Sequence, residues 1–186
     1  SPEGNISLSI AFADREFDVP ISIATGILVK DALTEVFNLD SIKLKWPNDL
    51  VFEKKKIGGI LVEKEVFSNY TKAIVGIGIN LELDKKESWW GDFGDLNGKN
   101  LRDKIINKIL VKFEALFSDG LNDWKNLWNQ SCIHNDAIIS VARNDEIIKG
   151  KYLGINDSGE LLLEKKIGEI ISFSSGEVSI KGIYNK

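Results

Sequence analysis

Residues 5–13 set Ile6, Leu8, Ile10 and Phe12 against smaller or polar neighbours, a period of two that predicts a half-buried strand. Pro20 then opens a stretch in which Ala24, Leu28, Ala32 and Val36 recur every fourth position, the spacing of a helix. Ile42 and Leu44 make a short strand that stops at Pro47, because proline cannot donate to a ladder. Residues 50–52, 57–66 and 73–83 read as three more strands, with Lys54-Lys55 and residues 68–71 as hairpin links. Links this short leave no room for crossover helices, so the pairing is expected to be antiparallel. Residues 84–98 are polar, glycine-containing and rich in tryptophan, and read as a loop. Asn100, with Asp103 three places on, is the expected cap of a helix that carries Leu101, Ile105, Ile109, Phe113 and Leu116 on one face. Gly120 ends it, and a shorter helix follows with Leu121, Trp124, Leu127 and Trp128 turned inward.

From about Asn135 the pattern changes to short strands at 137–142, 147–155, 161–164, 170–173 and 178–180, with Asn156-Asp157-Ser158-Gly159 as a hairpin turn. The expected architecture is therefore an α+β domain over residues 1–134, a mixed or antiparallel sheet packed with helices, and a small β-barrel over 135–186.

Composition narrows this picture by exclusion. A net charge of −4 gives no reason to expect nonspecific nucleic-acid binding. Apolar runs fall well short of the ~20 residues that span a bilayer, so no membrane association is expected. The single cysteine, Cys132, excludes an internal disulfide framework and fits a reducing compartment such as the cytoplasm. With one histidine, His134, the usual zinc ligand sets are excluded too, and any metal would be Mg²⁺ held by carboxylate, water and phosphate. Cys132 and His134 lie two residues apart with no assured geometry for catalysis, and read as packed core groups.

Three segments carry the candidate chemistry. Lys45-Trp46-Pro47-Asn48-Asp49 puts a lysine, an amide and a carboxylate on a stiff turn, suited either to an anion or to an ordinary capped turn. Lys56-Ile57-Gly58-Gly59-Ile60-Leu61-Val62-Glu63 sets a lysine beside two strand glycines, where a ligand can approach the backbone. Lys54 and Lys55 read as solvated turn residues. Gly76-Ile77-Gly78-Ile79-Asn80 repeats the logic, with Asn80 as a hydrogen-bonding handle. It lacks the third glycine and the following helix of a dinucleotide fingerprint, and no phosphate loop of the G-x-x-x-x-G-K-[ST] type occurs.

In this order and spacing the three segments resemble the biotin protein ligases, the biotin–[acetyl-CoA carboxylase] ligases. The likeness extends to Ser1-Pro2-x-Gly4-Asn5-x-x-x-Ser9 and to Gly176-Glu177-Val178-Ser179-Ile180, and so covers essentially the whole chain. It implies a class II synthetase-like catalytic core followed by a small SH3-like domain. It also implies a two-step reaction in which biotin and ATP give biotinyl-5′-AMP, from which a lysine of biotin carboxyl carrier protein (the biotinyl domain of acetyl-CoA carboxylase) takes the biotin. Lys56 matches the active-site lysine, with Lys45, Asn48 and Asp49 near the phosphates and Mg²⁺. Asp49 would hold the metal or orient the incoming lysine. Lys56, Gly58, Gly59 and Ile60 would hold biotin. Gly76, Gly78 and Asn80 would face the adenylate, Trp90 (less surely Trp89) would cover the adenine, and Glu177 and Lys181 would bring the barrel onto the nucleotide.

The family's G-R-G-R-x-G-R loop and its upstream biotin-holding residues do not occur in these residues, so weak biotin and phosphate binding is expected of this chain by itself. No DNA-binding domain and hence no repressor role is expected, and a homodimer through a central-sheet edge is open. A carrier- or partner-binding module without catalysis remains an alternative, as does a lipoate or octanoyl ligase. The wording K-W-P-N-D and G-G-I-L-V-E favours biotin.

Overall fold

The computed structural model describes residues 5–13, 18–68, 71–84, 87–143, 146–175 and 179–181. The N-terminal strands are β1 (Ile6–Ala13), β2 (Lys43–Lys45), β3 (Asp49–Phe52), β4 (Lys55–Val66) and β5 (Thr71–Ile79). They form a five-stranded sheet in the order β1-β5-β4-β3-β2, antiparallel at every pairing. The expected antiparallel run is thus found, although β5 stops at Ile79 rather than continuing to 83, with the Asn80 amide making a last bond to Ile57 opposite it.

One face of this sheet is covered. Helix α1 (Ile21–Phe37) packs on β2, β3 and β4, with α2 (Arg102–Asp119) beside it and α3 (Trp124–Ser131) at its other flank. Its anticipated stripe of Ala24, Leu28 and Ala32 is buried, but so are Ile21, Ile23, Ile27, Val29 and Leu33. A helix that is apolar nearly all round has neighbours nearly all round. Helix α2 is more one-sided and buries Ile105, Ile109, Phe113 and Leu116, the stripe expected from its sequence. Lys108 and Lys112 of α2 reach Glu35 of α1 at 2.8 and 2.6 Å, and these hydrogen bonds hold the Glu35 carboxyl below its ordinary pKa.

Asn100 does not cap α2. Short 3₁₀ turns occupy Gly94–Leu96 and Gly98–Leu101, and Asn100 spends its side-chain amide on Asn97 at 2.6 Å. The helix starts after Leu101 with no side-chain cap. A cap would accept through the Asn100 oxygen and not donate through that amide; Asn100 misses the role because the 3₁₀ turn runs on through Leu101, the residue before the helix. The third helix likewise begins at Trp124, later than Leu121 suggested, behind Asp123 in the left-handed region.

The C-terminal strands are β6 (Ile138–Arg143), β7 (Glu146–Ile155), β8 (Leu161–Lys166), β9 (Glu169–Phe173) and β10 (Ser179–Lys181). They form a second antiparallel five-stranded sheet, ordered β10-β6-β7-β8-β9, consistent with the expected SH3-like unit. The two sheets share one continuous apolar core, in which Tyr152 of β7 reaches Trp128 of α3 with an indole N–H to hydroxyl distance of 2.9 Å. Among the described residues no helix is long and apolar enough to cross a membrane.

Candidate active site

The uncovered face of the first sheet carries the candidate chemistry. Register places Ser7 opposite Gly78, Gly78 opposite Gly59, Gly59 opposite Asp49, and Asp49 opposite Lys45. Residues paired across a ladder share a face, so this one rung runs across all five strands and ends in a carboxylate and an ammonium. The next rung sets Ser9, Gly76 and Leu61 side by side. Ser7, Ser9, Asn48, Gly59, Ile60, Leu61, Gly76 and Gly78 line a shallow depression of about 300 Å³ there. The strand glycines leave its floor as bare backbone: a Cβ at Gly78 would meet nothing nearer than 3.9 Å, and one at Gly76 nothing nearer than 3.7 Å.

Lys56 joins this face through a β-bulge. Leu50 pairs with Gly58, but the next residue, Val51, pairs with Lys56, so Ile57 is the extra residue. In an unbroken strand Lys56 and Gly59, three apart, would point to opposite faces; the bulge brings them to the same one. Its counterpart is that Ile57 and Gly58 both face the core. Ile57 is fully buried, and the second of the two has no room for a side chain, because a Cβ at Gly58 would lie 2.4 Å from the Gly78 carbonyl oxygen. The Ile57 carbonyl accepts a hydrogen bond from the Asn80 amide at 2.8 Å.

Asp49 sits between two ammonium groups. Its Oδ1 accepts from Lys56 Nζ at 2.5 Å and its Oδ2 faces Lys45 Nζ at 3.4 Å. Lys45 and Asp49 are almost covered, at 11% and 12% side-chain exposure, whereas Lys56 keeps 32%. Burial holds the Lys45 ammonium below its ordinary pKa; Asp49 opposes that shift and the Lys56 charge adds to it. Among the described residues two ammonium groups thus gather with one carboxylate at the rim of the depression, an arrangement suited to an anionic ligand. The Lys56 amine would lie 3.5 Å from a Cβ at Gly59, so it stands directly over the glycine rung.

The hairpin loop Trp46-Pro47-Asn48 joins β2 to β3, with a cis Trp46–Pro47 bond. Asn48 fastens this loop to β4: its carbonyl accepts from the Ile60 amide at 2.9 Å, and its side-chain amide donates to the Ile60 carbonyl at 2.8 Å. Asn80 acts similarly, donating its side-chain amide to the Gly91 carbonyl at 3.1 Å. Lys56 is tied to the same loop, with its N–H on the Trp89 carbonyl at 2.9 Å and its carbonyl accepting from Gly91 at 2.8 Å. Trp90 therefore pairs with Lys56 where β5 has ended. It is 36% exposed and stands edge to face with Trp89 at 5.3 Å.

The sequence-predicted residues thus divide. Lys45, Asp49, Lys56, Gly59, Gly76 and Gly78 share one face, and Asn48 borders it. Gly58 lies on the core side, and Ile60 has its side chain buried and offers the face only backbone. Both were expected on a biotin wall; ordinary alternation on either side of Gly59 turns both side-chain positions toward the core. Asn80 binds the loop that carries Trp90. Lys181 pairs with Ser140 in β10, and Glu177 lies outside the described residues, as do residues 1–4 and 176–178 of the two outlying likenesses. Ser7 and Leu61 were not singled out, although the alternation of β1 already put Ser7 on the polar face. The Asp49 carboxylate, expected at the metal, is engaged by both lysines, and among the described residues no three His, Cys, Asp or Glu groups gather as a cage.

Cys132 and His134 stand behind this site, with Leu44 bridging to Cys132 and His134 packed at 5.6 Å on the Tyr152 ring. Burial raises the Cys132 thiol to about 11 and lowers His134 to about 4, with the Lys45 charge adding to the latter. Neither is poised for nucleophilic work.

A sheet with a glycine floor and a lysine-rich rim belongs to a recognisable class. Residues 1–80 match the profile of the Biotin/lipoate A/B protein ligase family. Residues 138–181 match the Biotin protein ligase C terminal domain, and the two matches, on either side of residues 81–137, together support a biotin protein ligase. It is 28% identical over 173 residues to the Bifunctional ligase/repressor BirA of Salmonella typhimurium, covering 88% of this chain and 53% of that protein. It is 26% identical over 181 residues to Biotin--protein ligase 2 of Arabidopsis thaliana, covering 87% and 55%. The chain thus spans about half the length of the relatives it matches. Its fold superimposes on the biotin protein ligase from Aquifex aeolicus in complex with biotin and ATP with a TM-score of 0.70, at 24% identity, covering 94% of this chain and 78% of that one.

Proposed function

We propose that this chain forms the central and C-terminal part of an enzyme that activates biotin with ATP to biotinyl-5′-AMP and transfers it to a lysine of biotin carboxyl carrier protein. The observation that carries the proposal is the Lys56 amine, held by Asp49 at 2.5 Å directly above the Gly59–Gly78 rung. In the first step a biotin carboxylate oxygen bonds the α-phosphorus and the bond to pyrophosphate breaks. Both reactants are anions, so their approach is opposed unless a cation sits between them. Lys56 supplies that cation, and Lys45, nearly covered, adds to the field. Flat ligand groups would lie along the glycine rungs, with Trp90 at the adenine end. In the second step the carrier's neutral lysine amine attacks the acyl carbon, AMP leaves with its bonding pair, and the amine's proton passes to solvent. Asp49, engaged by two ammonium groups, keeps both lysines in place. Mg²⁺ arriving with ATP would be held by the phosphates, water and Asp49, and would add to the neutralisation that the lysines supply. The buried lone thiol fits a reducing compartment, and we place the reaction in the cytoplasm.

The test is ATP-dependent transfer of labelled biotin to a carrier domain by the full-length protein. Lys56→Met should lower adenylate formation by roughly 10²–10³-fold, the usual loss for one such charge-stabilising group. Inertness toward biotin, with transfer of lipoate or octanoate instead, would refute the assignment.

A further inference from the structure

Trp46 belongs to a hairpin loop, where side chains are ordinarily exposed, yet it is only 1% exposed and among the largest fully buried groups. One of its partners comes from the C-terminal part of the chain. Its indole N–H donates to the Gly159 carbonyl at 3.0 Å, 113 residues away. Gly159 lies in the turn between β7 and β8, at a φ of +77° that favours glycine. A Cβ there would also lie 3.0 Å from Pro20 and 3.2 Å from Ile23, so the turn presses on the first turn of α1 as well.

The pressing element is stiff. The Asn156 side-chain oxygen accepts from the Ser158 and Glu160 amides at 3.0 and 2.9 Å. The Asn156 and Gly159 amides close the turn through the Glu160 and Asn156 carbonyls, each at 3.0 Å. On the other side of Trp46, the same loop holds Asn48 to Ile60, while Lys45 before it and Asp49 after it form the charged end of the rung. The Tyr152–Trp128 bond and the Lys125–Asp157 ion pair also tie the C-terminal sheet to the N-terminal part, but both end on α3 and not on the Lys45–Asp49 loop.

We infer that Trp46 is a positioning residue through which the C-terminal sheet holds the Lys45, Asn48 and Asp49 turn against β4, so that docking of that sheet sets the anion-binding end of the site. The substrate side of this inference rests on the ligase reading; the mechanical side does not. The full-length protein is therefore compared as wild type, Trp46→Phe, Gly159→Ala and Tyr152→Phe by two readouts. The first is exchange of the Ile60 amide hydrogen, bonded to Asn48 and remote from Gly159, with the Ile109 amide of α2 as reference. Trp46→Phe and Gly159→Ala should each speed Ile60 exchange roughly tenfold with Ile109 unchanged, while Tyr152→Phe leaves Ile60 as it was. The second is kinetics, where the same two variants should raise KM for ATP more than KM for biotin. If Trp46→Phe fails to fold, Gly159→Ala carries the test. Wild-type Ile60 exchange in Gly159→Ala, or equal acceleration by Tyr152→Phe, overturns the inference. Accelerated exchange in a protein inert toward biotin leaves the coupling standing and removes the ligase reading.

Discussion

The same substitution, glycine to alanine, should have opposite consequences at Gly58 and Gly78, which sit in neighbouring strands on opposite faces. At Gly58 the added methyl meets the Gly78 carbonyl oxygen at 2.4 Å, Leu50 at 3.1 Å and the Ile79 Cα at 3.3 Å. The first of these falls about 1 Å short of ordinary contact and involves backbone, which cannot rotate aside. β5 must shift relative to β4, and overpacking of this kind costs about 1–3 kcal/mol or somewhat more. For a chain of this size that is a fall of roughly 3–10 °C in Tm. At Gly78 the nearest neighbour is 3.9 Å away, so the methyl stands free on the open face. Stability should change by no more than about 0.5 kcal/mol, or rise slightly because alanine loses less backbone entropy than glycine. That methyl protrudes into the depression instead, and should weaken binding of an anionic flat ligand to the full-length protein by about tenfold or more. Thermal and urea unfolding followed by circular dichroism, with unchanged m-values, measure the first pair of effects. Equal destabilisation by the two substitutions would show that the face assignment is wrong.

Three further outcomes rest on buried groups. His134 has a folded pKa of about 4 against 6.5 unfolded, so as pH falls from 6.5 to about 4 the unfolded chain takes up a proton that the folded one refuses. Stability should fall over that window by up to about 3 kcal/mol, a loss absent from His134→Gln in urea titrations at pH 7.5 and 4.5; parallel losses would contradict it. The Lys45 ammonium is depressed in the fold, so between its folded pKa and 10.5 the unfolded chain holds the extra proton and stability should rise with pH. Lys45→Met should lack that rise, measured as the difference between the two alkaline stability profiles. Cys132, buried and raised to about 11, should resist iodoacetamide at pH 8 in the native protein and react once urea unfolds it, by mass spectrometry; rapid native labelling would show an open thiol.

Much of the fold was legible because one-sided burial imposes a period. The alternation of β1 and the stripe Ile105, Ile109, Phe113, Leu116 both appear as read. The illegible parts have particular causes. Asn100 carries a capping residue's chemistry but sits one place too early, inside a 3₁₀ turn that runs through Leu101 and that its polar pattern does not announce. Lys56 was identified as the reactive lysine by likeness, while strict alternation would have turned it away from Gly59; only the bulge reconciles the two. Trp46 stands in the sequence only as the residue before Pro47 in a stiff turn, because its partner Gly159 lies 113 residues distant and contributes only a carbonyl.

The open face of the first sheet is made largely of what is missing from it. Ser7, Ser9 and Ala11 on β1 and Gly59, Gly76 and Gly78 beside them contribute hydroxyls, a methyl and peptide groups, and little more. Alanine scanning works by deleting atoms and would pass over such a floor almost silently, reporting Lys45, Asp49 and Lys56 as though they were the whole site. Only a scan that adds atoms, serine to valine or glycine to alanine, would trace its outline.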